Sequence, residues 1–197
     1  MVNIFSKEMN IYLVRHTEYA NPKKIFAFNL PFYLTENGRN HAKRIGEWFK
    51  EKKLNEIPIY SSPIVRAVQT AEIIASFTNS YVAIDNDLRE TESKELVGKP
   101  LTDKFWEIEP KDPTREPIQT VGERGYNVLQ KHIEDSEECM LVSHGDLLTA
   151  LYFQLIEREL PEYLWTPEFM GECVQKGEII QLILDDKKIV NIERINV

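Results

Sequence analysis

Only two of the 197 residues are cysteine, Cys139 and Cys173. Two thiols are too few for a disulfide scaffold or a cysteine-based zinc module. Cys139 also stands in the apolar run Cys139-Met140-Leu141-Val142, where a buried thiol is expected. No apolar stretch approaches the length a membrane span requires, and the first ten residues, with Lys7 and Glu8, lack an apolar segment of signal-peptide length. A cytoplasmic location without a membrane partner is the expectation. Met9 directly precedes the first strong strand, so residues 1–8 are read as a dispensable tail or an upstream start choice. Positive charge is also in short supply: 24 Lys and Arg against 32 Asp and Glu give a formal charge of −8. That balance excludes non-specific nucleic-acid binding as the chain's business, because such binding is driven by counterion release onto basic side chains. Any anionic ligand must be held by a local cluster. Carboxylates do not gather in the manner Mg²⁺ demands, and the sequence contains neither internal repeats nor low-complexity tracts. No metal and no cofactor are expected.

What is present is an ordinary domain composition, with 42% hydrophobic residues, read as one domain over residues 1–197. At this length folding buries roughly 70% of the surface of the unfolded chain, so no covalent staple is needed. The runs Ile11 to Val14, Ile57 to Tyr60, Tyr81 to Ile84 and Cys139 to Val142 are short, apolar and rich in β-branched or aromatic residues, and read as strands buried on both faces. Helical spacing follows the first strand (Ala42, Ile45, Phe49) and the second (Ile64, Ala67, Val68, Ala71, Ile74, Ala75). Ser62 and Pro63 are expected to cap and open the second helix, and Thr120 with Glu123 to form a capping box for a third running to about Glu134. A fourth helix should follow His144 with Leu147, Leu148, Leu151 and Leu155 inward. Ile179 to Leu184 and Ile189 to Ile195 flank Asp185-Asp186 as a C-terminal β-hairpin. The alternation predicts a three-layer α/β/α sandwich with a mainly parallel central sheet. The exception is 94–117, with four prolines and little periodicity, expected to loop over one sheet edge on Phe105 and Trp106.

Ligands of an open parallel sheet bind outside the carboxyl ends of its strands. Those ends deliver Arg15-His16, Ser61 to Arg66 and Ser143-His144-Gly145. Arg66 falls in the first turn of its helix, where free backbone N–H groups also favour an anion. Two imidazoles and two guanidiniums at one edge suit a phosphoryl group, whose oxygens match the planar fork of arginine. By contrast His132 has core spacing, His41 reads as helix surface and Asp185-Asp186 as a turn.

These residues carry a family likeness. Leu13-Val14-Arg15-His16-Thr17-Glu18 resembles the Arg-His-Gly signature of the histidine phosphatase superfamily, which includes the cofactor-dependent phosphoglycerate mutases, with Thr17 in the glycine position. Leu34-Thr35-Glu36-Asn37-Gly38 resembles the family's Leu-Thr-x-x-Gly turn, and Ser61 to Ala71 follows the family pattern almost without a gap. Leu88-Arg89-Glu90 matches the segment supplying the catalytic acid, and Val142-Ser143-His144-Gly145 the second histidine block. The resemblance implies His16, Glu90 and His144 as catalytic residues and Arg15 and Arg66 as phosphate ligands. It implies Asn21 as a further ligand, one position early, since Pro22 stands where the family often has Asn. Lys94, Val97 and Arg124 also depart from the family's usual residues.

Phosphoryl transfer needs an in-line nucleophile and positive groups around the equatorial oxygens. His16 attacks as neutral imidazole, a form favoured by Arg15 and Arg66. His144 and both arginines stabilise the transferring group, and Glu90, with Glu92 as fallback, protonates the leaving oxygen and later activates water. The expected activity is a metal-independent phosphomonoesterase acting on a small phosphorylated metabolite. The alternatives are a phosphoglycerate mutase, which the resemblance associates with longer chains, and a non-catalytic phosphate-binding regulatory module, which would need neither nucleophile nor acid. Lys94, Lys99, Phe26, Phe28 and Phe32 are candidates for the outer pocket, and a homodimer is kept open as the oligomeric state.

Overall fold

The computed structural model describes residues 8–135 and 137–197. Its strands are β1 (Met9–Arg15), β2 (Ile59–Ser61), β3 (Val82–Ile84), β4 (Cys139–Ser143), β5 (Ile179–Asp185) and β6 (Lys188–Ile195). Its α-helices are α1 (Glu36–Glu51), α2 (Val65–Thr78), α3 (Ile118–Glu134) and α4 (Gly145–Leu155). The strands form one sheet in the order β3-β2-β4-β1-β5-β6. The pairs β1/β4, β2/β4 and β2/β3 are parallel, while β5 is antiparallel to both β1 and β6. The expected three-layer sandwich and C-terminal hairpin are therefore present. Asp186 and Lys187 both have positive φ, 45° and 63°, as the tight turn of that hairpin needs.

The alternation of side chains along the central strands explains the three layers. Ile11, Leu13, Cys139 and Leu141 face one side, where they join Val121, Leu129, Leu147 and Leu151 of α3 and α4. Tyr12, Val14, Met140 and Val142 face the other, where they meet Ile45 and Phe49 of α1 and Ala67, Ala71 and Ile74 of α2. Successive strand residues point to opposite faces, so a strand covered on both must be apolar throughout. The expectation of two buried faces fails for β3: Ile84 is 53% exposed because the strand lies at the sheet edge.

The helix starts differ from the expected caps. At α2 the N-cap is Ile64, and Ser62 Oγ instead accepts the Ile64 N–H at 3.2 Å from outside the helix. Helix α3 begins at Ile118 behind Pro117, which puts Thr120 inside the first turn and removes the capping box. Proline suits that position because its missing N–H would have had no helical partner. The cap of α1 shows why Leu34-Thr35-x-x-Gly38 recurs as a unit. Thr35 Oγ1 accepts from Gly38 N (3.0 Å) and donates to Glu18 Oε1 (2.6 Å), and a Cβ at Gly38 would lie 2.0 Å from the Glu18 carbonyl oxygen. His41 is not plain helix surface, since its ring packs against the backbone at Gly177. His132 is a packed residue of α3, with Nδ1 2.8 Å from Glu137.

The proline-rich excursion is anchored by polar groups. Phe105 and Trp106 are only half-buried, whereas Glu109 and Asp112 are buried. Asp112 accepts from Ser93 and from the Thr114 backbone and hydroxyl, and Thr114 Oγ1 accepts from Lys94 N and Glu95 N, both at 3.0 Å. Leu101, Phe105 and Glu109 line the same cavity as Arg15 and His16, so the excursion walls the carboxyl end of the strands and is not merely an edge loop. The expected tail at 1–8 lies outside the described residues except for Glu8, which is exposed.

Candidate active site

Parallel registry brings three strand ends together. Arg15 pairs with Ser143 and Ser61 with Val142, while His16 N donates to Ser143 O and Ser62 N to Val142 O, each at 3.0 Å. The loop carrying Glu90 is drawn in by Ser143 Oγ, which donates to Leu88 O at 2.7 Å. Arg124 holds the same loop from α3, with Nη1 donating to Asp87 O (2.6 Å) and Arg89 O (2.8 Å) while the guanidinium pairs with Glu116. The unusual Arg124 thus fixes the segment that presents Glu90.

His16 is 1% exposed. Its Nδ1 donates to Thr17 O at 2.7 Å, which leaves the lone pair on Nε2, where it accepts from Arg66 Nε at 3.1 Å. A proton on Nε2 would face that N–H directly. Burial, then Arg66 and then Arg15 hold the imidazole pKa well below its usual value. Arg66 also donates from Nη2 to Phe28 O at 2.6 Å and lies over the Tyr19 ring. Arg15 donates from Nη1 to Val174 O at 2.6 Å and stacks on Trp165, its Nε buried without a partner.

His144 is fully buried, its ring centroid 5.1 Å from that of His16. Ser62 Oγ accepts from Ile64 N and contacts His144 Nε2 at 2.7 Å, while His144 Nδ1 has no hydrogen-bond partner and lies 3.9 Å from Glu90 Oε2. His144 therefore stands directly behind the cavity wall, between Ser62 and Glu90. Desolvation, followed by repulsion from Asp146, raises the Glu90 pKa from 4.5 to about 7 against the opposing pull of Arg66 and Arg15. A carboxyl poised there exchanges a proton near neutrality.

Arg15, His16, Arg66 and Glu90 line one cavity of about 230 Å³. Asn21 does not join them: its side chain staples its own loop, donating to Ile25 O (2.7 Å) and accepting from Ile25 N (3.2 Å). Phe26 and Phe28 line the cavity, but Phe32, Lys94 and Lys99 are not part of its wall. Glu92 is turned to Arg89 at 3.2 Å.

Sequence reasoning missed several wall residues. Asp146, in the first turn of α4, accepts from Thr91 Oγ1 (2.6 Å), Arg115 Nη2 (2.8 Å) and Trp165 Nε1. The Arg115–Asp146 pair is nearly dry, its side chains 6% and 8% exposed, so removing either partner would leave an uncompensated buried charge. The pairing ties the excursion to α4. Only the adjacency of Asp146 to His144-Gly145 hinted at it. Lys176 also lines the cavity, its Nζ 4.8 Å from the centre of the Tyr19 ring that Arg66 covers.

Gly145 sets the closeness of this packing. A Cβ there would lie 2.6 Å from Trp165 Cζ2 and 2.9 Å from Arg15 Cζ, so both side chains would have to move. Gly145→Ala is expected to lower kcat/KM for phosphomonoesters about tenfold or more by displacing Arg15, since small misplacements of positioning groups are costly. Steady-state kinetics beside a thermal melt will separate this from unfolding, and unchanged kcat/KM would refute it.

Comparison with known proteins gives the family. The model of the histidine phosphatase superfamily, branch 1, matches residues 11–174. A Hydrogenobacter thermophilus protein provisionally named phosphoserine phosphatase 2 is 33% identical over 175 residues, covering 79% of this chain and 82% of its own. A phosphoglycerate mutase of Candida albicans is 30% identical over 183 residues, covering 86% and 70%. Among solved structures, YhfR of Bacillus stearothermophilus superposes with a TM-score of 0.77 at 23% identity, over 92% of this chain and 94% of its own. With the sheet order, the paired histidines and this match in place, the chain belongs to the histidine phosphatase superfamily, branch 1.

Proposed function

We propose that the protein is a phosphomonoesterase that hydrolyses a small phosphorylated metabolite through a phosphohistidine, without a divalent ion. The observation that carries this reading is one cavity holding an imidazole whose Nε2 is kept unprotonated beside Arg66, two arginines and a carboxyl whose pKa is about 7. His16 Nε2 attacks phosphorus, the bond from phosphorus to the leaving oxygen breaks, and that oxygen takes the Glu90 proton. Arg15 and Arg66 stabilise the charge spread over the equatorial oxygens, and the unpartnered Nδ1 of His144 is the further donor beside them. In the second half Glu90, now ionised, takes a proton from water as it attacks phosphorus, and the P–N bond breaks to return neutral His16. Lys176 adds positive charge on the Tyr19 side.

The named relatives divide between phosphatase and mutase, so a mutase is the second reading. A mutase must exclude water from its phosphoenzyme and grip a second anionic group. Lys94 and Lys99, the cations that the sequence offers for that grip, do not line the cavity, and Lys176, which does, lies over the Tyr19 ring on the Arg66 side. With chelator present, whatever turnover 3-phosphoglycerate undergoes should appear as inorganic phosphate, at least about tenfold in excess of 2-phosphoglycerate, with or without a bisphosphate primer. Primed interconversion with almost no phosphate released would establish the mutase instead, and activity lost to chelator and restored by one metal would refute the metal-free scheme.

A further inference from the structure

Beyond the phosphoryl end, the cavity wall is apolar. Ile25, Phe26, Ala27 and Phe28 from one segment meet Leu101 and Phe105 from the excursion. The two segments are joined by backbone hydrogen bonds: Phe26 N to Lys99 O (2.9 Å), Gly98 N to Phe26 O (3.0 Å) and Leu101 N to Lys24 O (2.8 Å). The Phe26 and Phe28 rings stack with centroids 6.0 Å apart. Leu101 is 40% exposed, which leaves apolar surface open at the wall. This surface is preformed.

The charges of the wall complete the argument. Arg15, Arg66 and Lys176 gather around His16 and Tyr19, where the phosphoryl group is to sit. The charged wall residue contributed by the excursion is an acid, Glu109, which is 8% exposed, 3.6 Å from Arg115 and raised in pKa to about 7 by burial and then by Asp146. A carboxylate on the leaving group would meet phenylalanines and, above about pH 7, an ionised Glu109, and an unpaired charge in such surroundings is strongly disfavoured. The cavity, of about 230 Å³ and open to solvent at its mouth, has room for a ring beside the phosphoryl group, since an apolar volume of about 150 Å³ takes one benzene.

From this we infer that the preferred substrate is a phosphomonoester whose leaving group is uncharged and apolar, and that carboxylate-bearing phosphoesters are disfavoured. This deepens the phosphatase reading and rests on it. Phe28 and Phe105 grip the leaving group, and Glu109 offers a carboxylate no cation.

The test compares esters that all leave as alkoxides, so that chemistry is matched and only the attached group differs. Benzyl phosphate is expected to exceed 3-phosphoglycerate and phosphoserine in kcat/KM by about tenfold to a hundredfold, the effect of burying one ring-sized apolar group. Phe28→Ala and Phe105→Ala should each cut that advantage several-fold, chiefly through KM. Measured above pH 7, where Glu109 is ionised, Glu109→Gln should raise the ratio of 3-phosphoglycerate to benzyl phosphate turnover. If it fails to fold, the two phenylalanine variants still decide the matter. Equal or greater kcat/KM for the carboxylated esters would overturn this inference and leave the phosphatase reading intact. Absence of phosphate release from every ester, p-nitrophenyl phosphate included, would overturn both.

Discussion

Replacement of His16 by alanine is expected to lower phosphate release from any monoester by about 10⁴-fold or more, the scale on which loss of a covalent nucleophile is felt. Wild-type protein quenched in alkali during turnover should carry phosphate that is labile to acid. The competing nucleophile is Ser62, whose Oγ is 2.7 Å from His144 Nε2, a pairing that in another setting would activate a hydroxyl. Two observations favour His16. Ser62 is fully buried and is not part of the cavity wall, whereas His16 is. The Thr17 carbonyl also fixes the His16 proton on Nδ1 and keeps Nε2 unprotonated. Phosphoserine withstands acid and phosphohistidine does not, so acid-stable label on Ser62, or full activity in His16→Ala, would refute the covalent scheme.

Much of this site was legible in the sequence because it is built from strand ends. Arg15-His16 and Ser143-His144 each follow an unbroken apolar strand, and strand order alone brings them to one edge. Arg66 was legible for the same reason, one helical residue beyond a strand end and loop. The excursion was opaque because its anchors are polar and long-range: Ser93 with Asp112, and Arg115 with Asp146, pair residues 19 and 31 positions apart without any periodic signal. Asn21 misled because a motif position says nothing about loop closure, and here the amide is used up by Ile25. The expected N-cap and capping box fail because Ser62 Oγ serves Ile64 N and His144 from outside α2, and Pro117 starts α3 early. Arg124 departs from the family pattern, and its role rests on long-range contacts to the Asp87 and Arg89 carbonyls beside Glu90 that no periodic signal marks.

Glu90→Gln should reduce hydrolysis of alkyl phosphates by about 10² to 10³-fold while reducing that of p-nitrophenyl phosphate less than about tenfold. Only an alkoxide needs a proton as it departs; nitrophenolate leaves without one. The pH dependence follows from the same carboxyl. Its pKa is raised to about 7, so it holds its proton below that pH and loses it above. Alkyl phosphate turnover should therefore fall as pH rises through about 7. The acid limb should lie well below 6.5, because His16 stays neutral until then. In Glu90→Gln the decline near pH 7 should vanish, which a structural role for the side chain would not predict. Stability carries the matching signature. A carboxyl that binds its proton more tightly folded than unfolded loses folding free energy as pH rises from about 4.5 to 7. The melting temperature of wild type should then decline across that window more than that of Glu90→Gln. Equal losses on alkyl and aryl esters, with an unaltered pH profile, would remove Glu90 as the acid and direct the same substitution to Glu92.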